Sequence, residues 1–181
     1  MKKEILIDFL GQNYSKQQTQ HLAEQCLAAE IALQDVLDLC FHDKDKIVFR
    51  AAWLLEHVEV LSPERFKSVL INFIKCYPNQ INWSAQRHFT KIMMRLTRKD
   101  LMNFYRLKPN DFDLIIEATF DWLINSKTPL AVQCNAMDII YQLSPYHDWV
   151  KDELKIVLEQ KLLLKSAALT SRAKRVLKRL K

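Results

Sequence analysis

The sequence predicts an all-α protein, a right-handed superhelical stack of helical hairpins with about four to five helix pairs. Three observations carry this expectation. A helical unit recurs four times, opening at Ile47-Val48-Phe49-Arg50-Ala51-Ala52-Trp53-Leu54-Leu55, Trp83-Ser84-Ala85-Gln86-Arg87-His88-Phe89, Pro129-Leu130-Ala131-Val132-Gln133-Cys134-Asn135-Ala136-Met137 and Leu169-Thr170-Ser171-Arg172-Ala173-Lys174-Arg175-Val176-Leu177. Aligning Arg50, Arg87, Gln133 and Arg172 gives steps of 37, 46 and 39 residues, near the period of two-helix repeat units with one insertion. The 181 residues contain a single glycine, Gly11, against a usual share of about 7%. Tight hairpin turns and phosphate-cradling loops need glycine, so its scarcity argues against β architecture and most nucleotide-binding folds and effectively excludes Rossmann and P-loop enzymes.

The elements follow in order. An opening helix spans about residues 3–10 and meets a break at Gly11-Gln12-Asn13. A longer helical stretch covers about residues 15–40, with Leu22, Cys26, Ala29, Leu33, Val36, Leu37 and Cys40 at spacings of three and four, and a bend is expected near Ala28-Ala29-Glu30. The polar run His42-Asp43-Lys44-Asp45-Lys46 ends the pattern and offers Asp45 as N-cap for a helix to about Leu61. Ser62-Pro63, Thr128-Pro129 and Ser144-Pro145 each pair a capping hydroxyl with a proline suited to the first helical position. Helices are therefore expected at about 63–76, 82–96, 99–106, 109–125, 129–143, 146–164 and 167–180, the short one near Asp100–Arg106 accounting for the long step. A closed bundle shows a similar pattern. Recurring hairpins, short turns, small residues in the second helices and a basic terminal helix able to cap the last unit favour the stack.

At this length the chain suits one domain, 1–181, with N-terminal helices in 1–41 and repeat hairpins closed by a basic C-terminal capping helix in 42–181. Hydrophobic residues make up 49% and charged residues 27%, near the average for soluble proteins. The opening Met1-Lys2-Lys3-Glu4-Ile5-Leu6-Ile7-Asp8 reads as mature protein, because Glu4 and Asp8 interrupt any apolar leader. No run reaches the length of about 20 apolar residues needed to span a bilayer, so the cytoplasm is the default compartment. Cys26, Cys40, Cys76 and Cys134 are widely spaced in apolar helical stretches, which predicts reduced, buried thiols and no metal site.

The segment Asp45 through Leu55 resembles the second helix of the HEAT family, which opens with Asp or Pro, then Val-Arg, then alanine and leucine at helical spacing. Pro129 through Ile140 is similar, with Gln133 in the arginine place, and the resemblance covers about residues 30–181. The second unit departs most, since Arg87-His88-Phe89 replaces the small residues of the other units. By position Arg50, Arg87 and Arg172 form a ladder that suits a binding stripe; in the family the equivalent arginine more often pairs with acidic or carbonyl groups between neighbouring units, so the resemblance implies a repeat-stacking role. The resemblance says little about function, because stacking residues build the fold while binding residues vary on its surface.

No Ser-His-Asp set, HExxH or other compact catalytic motif is present, and His21, His42, His57, His88 and His147 are scattered. Asp113, Glu117 and Asp121 share one helix face, the arrangement of a solvated surface as much as of a carboxylate pair. No catalytic, cofactor-binding or metal residue is assigned, and no cofactor is expected. Net charge is +6 and the isoelectric point about 9.1. Basic residues gather at Arg87, Lys91, Arg95, Arg98 and Lys99, and again at Arg172, Lys174, Arg175, Lys178, Arg179 and Lys181. Such clusters suit phosphates, acidic proteins or anionic lipid, and also suit an exposed cap whose cations complement the helix dipole.

The functional expectation is a non-enzymatic helical-repeat adaptor or scaffold for a protein partner, contacted through Trp53, His57, Lys91, Arg95, Gln133 and Arg175 on the second helices. Exchanging Lys91 and Arg95 for glutamate is expected to weaken binding without loss of stability. The second expectation is a nucleic-acid-binding protein, because HEAT-like alkylpurine DNA glycosylases hold duplex DNA on a basic concave face with tryptophans and an aspartate near the lesion. Here Asp121-Trp122 offers only a superficial likeness, and Trp53, Trp83, Trp122 and Trp149 fall one to a region, as packing residues do.

Overall fold

A computed structural model describes residues 1–12, 15–164 and 166–180. Asn13 and Lys181 lie outside the described residues, so the end of the first break and the last basic residue are not placed. Among the described residues the regular structure is all helical: α1 (Lys3–Gly11), α2 (Lys16–Leu27), α3 (Leu33–Leu39), α4 (Asp45–Leu61), α5 (Pro63–Phe66), α6 (Leu70–Cys76), α7 (Trp83–Leu96), α8 (Lys99–Tyr105), α9 (Asp113–Ile124), α10 (Leu130–Leu143), α11 (Asp148–Leu162) and α12 (Ala167–Leu180). Single 3₁₀ turns occupy Tyr77–Asn79, Pro109–Phe112 and Ser144–Tyr146. None of these helices is long and apolar enough to cross a membrane.

Helix ends follow local chemistry more closely than the sequence reading does. Ser15 opens α2 with a reciprocal cap: its Oγ accepts from Gln18 N at 3.4 Å, and its own N–H donates to Gln18 Oε1 at 2.7 Å. The expected bend falls at Ala29, whose φ of 62° is left-handed and separates α2 from α3. Ser62 caps α5 through Arg65 N, with Pro63 at the first position. The other two proline pairs act differently. Pro129 is itself the cap residue of α10, and Ser144-Pro145 forms a 3₁₀ turn, so α11 starts only at Asp148. Asp45 lies inside the first turn of α4, where its charge complements the N-terminus without capping it, and Lys44 takes the cap position.

The chain forms two compact units, Met1–Ile92 and Met93–Lys181, with the boundary inside α7. In the first, α4 is central and packs on α1, α2, α3 and α5. Its Ala51 and Ala52 are fully buried, which lets neighbouring helices approach closely. Phe66, Phe73, Tyr77 and Phe89 are also fully buried, with ring centroids 4.9 Å apart for Phe73 and Phe89 and 5.5 Å for Phe66 and Phe73. In the second unit α10 is central, contacting α9, α11 and α12, around Ile115, Met137, Ile140, Leu143, Leu154 and Val176.

The repeat is written in the polar contacts. Side-chain bonds link Lys3 to Asp38 across 35 residues, Asn72 to Gln34 across 38, Asn82 to Asp45 across 37, Lys91 to Glu56 across 35 and Arg175 to Asp138 across 37. Thr97 donates to Gln142 across 45 residues, in the stretch that contains the inserted α8. Each of these bonds spans about one repeat length.

Candidate functional site

In the first unit the outward side of α4 carries Phe49, Trp53 and His57 at i, i+4 and i+8, so their rings fall in one line along the helix. The Phe49 and Trp53 rings stack at 6.1 Å and the Trp53 and His57 rings meet edge-on at 5.5 Å. His57 Nδ1–H donates to the Trp53 carbonyl at 3.0 Å, which fixes its ring. The line is partly open to solvent, Phe49 being 36% exposed. Beside it, α7 contributes His88 and Lys91. Lys91 Nζ donates to Glu56 Oε1 at 2.9 Å, and His88 Nδ1–H donates to Glu56 Oε2. The His88 ring lies 5.3 Å from Phe49, and its Nε2 is buried with no hydrogen-bond partner among the described residues. Burial pushes the Glu56 carboxyl upward, but the hydrogen bonds and charges of His88 and Lys91 outweigh it, and the net shift is below the ordinary value of 4.5.

In the second unit Asp138 on α10 is 7% exposed and faces α12. Arg172 donates to its Oδ2, and Arg175 Nη2 donates to both carboxylate oxygens at 3.0 Å. One turn further along each helix, the Arg179 guanidinium sits 5.9 Å from the centre of the Tyr141 ring. Asp138, Tyr141, Arg175 and Arg179 form one side of a cleft of about 540 Å³ that Thr97, Arg98, Lys99, Gln142 and Tyr146 complete. Arg98 is held by Asp100, with contacts of 2.7 and 3.1 Å.

The residues singled out by sequence fall into different environments. Trp53, His57 and Lys91 come together on α4 and α7. Arg50 Nη1 donates to the carbonyl of Leu10 at 2.6 Å and to that of Gln12, so it closes the end of α1. Arg87 is exposed and forms no ion pair among the described residues, because the side chain that faces α4 is that of His88, one residue on. Gln133 is 2% exposed and is no surface residue; its Nε2 donates to the Thr128 carbonyl and its Oε1 accepts from Lys161. Arg175 is occupied by Asp138. Arg95 is half-buried in the last turn of α7. Lys91, Arg95 and Lys99 do not share a continuous helix face, since α7 ends at Leu96 and α8 begins at Lys99. A glutamate at 91 would face Glu56, so the substitution expected to spare stability would cost it.

Asp113, Glu117 and Asp121 are exposed along α9, whereas Trp122 points inward and is 9% exposed. Trp149 is 53% exposed and stacks on Phe120 at 5.8 Å. Among the described residues no cluster of His, Cys, Asp or Glu is placed to hold a metal. Cys26, Cys40 and Cys134 are buried, Cys76 is half-buried, and all four thiols are free. Burial raises the Cys26 and Cys76 thiols to about 12, which keeps them protonated and unreactive.

Sequence reasoning missed Glu56, His88, Asp138 and Lys161. The usable signal was separation by one repeat, since Asp138 precedes Arg172 by 34 residues and Arg175 by 37. Residues 6–180 match the HEAT repeat domain family. No curated protein and no solved structure matches the chain.

Proposed function

The chain belongs to the HEAT repeat domain family, and from that premise we propose that it is a non-enzymatic adaptor that grips a protein partner along α4. The observation that supports this reading best is the partly exposed line Phe49, Trp53 and His57, held by mutual ring contacts beside the Glu56–Lys91 ion pair. Preordered aromatic rings offer a large contact area and lose little conformational entropy on binding, the usual character of interface anchors. The adjoining ion pair places one charge of each sign for a partner's polar groups.

The test is selection of binders from a random peptide library on the intact protein, followed by affinity measurement on Trp53→Ala and Lys91→Met. Selected peptides are expected to lose about tenfold or more on Trp53→Ala, about 1.4 kcal/mol, with unchanged circular dichroism. Peptides that bind the variant as tightly as the parent would remove α4 from the reading.

The cleft beside α12 favours a second reading, nucleic-acid binding. Arg98, Lys99, Arg175 and Arg179 line it with Tyr141 and Tyr146, the combination of cations and rings that phosphates and bases use. Asp100 and Asp138 neutralise part of that charge, which places this reading second. Fluorescence anisotropy with a random DNA duplex at about 50 and 200 mM salt separates the two, since some six phosphate contacts imply a fall of about 10³-fold. No binding at the lower salt would discard it.

A further inference from the structure

Lys161, in the last turn of α11, is 6% exposed and meets no carboxylate among the described residues. Its Nζ donates to Gln133 Oε1 at 2.8 Å, and Gln133 Nε2 donates to the Thr128 carbonyl at 2.7 Å, which orients the amide oxygen at the amine. An ammonium has three donors, and this is the one bond described for it. A buried cation with a single neutral acceptor is poorly compensated. The helix C-terminus offers only a partial offset.

Lys161 and Gln133 both line a cavity of about 460 Å³. Ile124, Leu130, Val157 and Leu169 wall it, Ser126 and Gln160 add neutral polar groups, and Lys161 is the one charged group among its described lining residues. This size lies within the usual range for small-ligand sites, of about 300–1,000 Å³, where apolar walls and one or two polar groups set orientation. A single cation among the described lining residues does not neutralise a phosphate or a nucleotide, and apolar walls do not suit a sugar acid.

We propose that this cavity binds a small apolar acid, its carboxylate paired with Lys161 Nζ and its hydrocarbon body against Ile124, Leu130, Val157 and Leu169. The carboxylate supplies the missing acceptor, and the apolar body gains burial without leaving a polar group unpaired. Burial holds the Lys161 amine below its ordinary value of 10.5. A bound carboxylate favours the charged amine, so binding takes up a proton where the amine is partly neutral. Affinity then falls as pH rises through the depressed value, before an exposed lysine would titrate.

Isothermal titration of the full chain with octanoate, octanamide and the peptide acetyl-Ala-Ala-Leu tests this. The parent protein is expected to bind octanoate at least tenfold more tightly than octanamide. Lys161→Met should lose at least tenfold for octanoate while keeping octanamide affinity and an unchanged circular-dichroism spectrum. Leu130→Trp, at a rim position 49% exposed, keeps the amine but fills the cavity, and should weaken both ligands. Tighter binding of the peptide than of octanoate supports the same carboxylate pairing and assigns its source to a chain end. The proposal is overturned if the parent binds neither acid at millimolar concentration, if Lys161→Met binds octanoate like the parent, or if parent affinity is flat from pH 7 to about 10.5.

Discussion

Replacing Asp138 with alanine should loosen α10 from α12. The carboxylate, whose side chain is 10% exposed, receives Arg172 and Arg175, whose side chains are 27% and 48% exposed. Removing one partner of a fully buried pair costs about 3–5 kcal/mol, mostly because the remaining charge is stranded. Here both guanidinium groups can rehydrate, so the expected loss is smaller, about 2 kcal/mol. Arg175→Ala leaves Arg172 in place and removes only the more exposed contact, which puts its cost at about 0.5–1 kcal/mol. Urea unfolding followed by circular dichroism reads the difference. With slopes of about 2 kcal/mol per molar, Asp138→Ala should lower the midpoint by about 1 M and Arg175→Ala by about a quarter to a half of that. A double-mutant cycle with Arg172→Ala should return a coupling of about 1 kcal/mol. If Asp138→Ala loses less than about 0.5 kcal/mol, or costs no more than Arg175→Ala, the bridge is not what joins these helices.

Glu56 makes a pH prediction for the first unit. Its folded value lies below 4.5, so the stability it contributes is present above the unfolded value and is lost as pH falls through the folded one. Thermal melts of Glu56→Gln should therefore show a shallower decline below about pH 4.5 than the parent, and equal slopes would contradict it. Ala29 and Arg106 hold left-handed φ values of 62° and 57° in a chain almost without glycine. Ala29→Gly and Arg106→Gly should each raise stability by about 0.5–1 kcal/mol, measured by chemical denaturation; a loss would show that side-chain contacts outweigh backbone strain. Lys91→Glu should lower the melting temperature, while Lys91→Met should change it little; equal melts would mean that Glu56 does not feel position 91.

Much of the fold was legible because helix formation depends on neighbours within four positions. The spacing of Leu22, Cys26, Val36 and Cys40, the hydroxyl of Ser62 before Pro63, and the small residues Ala51, Ala52 and Ala173 all act at that range. The same locality explains the misreading at Pro145, after which α11 starts only at Asp148. A proline restricts its own φ and the residue before it, but whether a helix follows at once depends on what the next turn packs against.

The sequence by itself determined an all-helical repeat, the approximate helix ends and the family, since these rest on short-range periodicity and a recurring segment. Tertiary structure alone decided which side chains meet. That His88 rather than Arg87 faces Glu56, that Gln133 lies buried beneath Lys161, and that Asp138 holds Arg172 and Arg175 depend on contacts about one repeat apart. Such contacts are set by the length and path of the intervening turns. A one-residue change in register rotates a helix by about 100° and exchanges a buried partner for an exposed one.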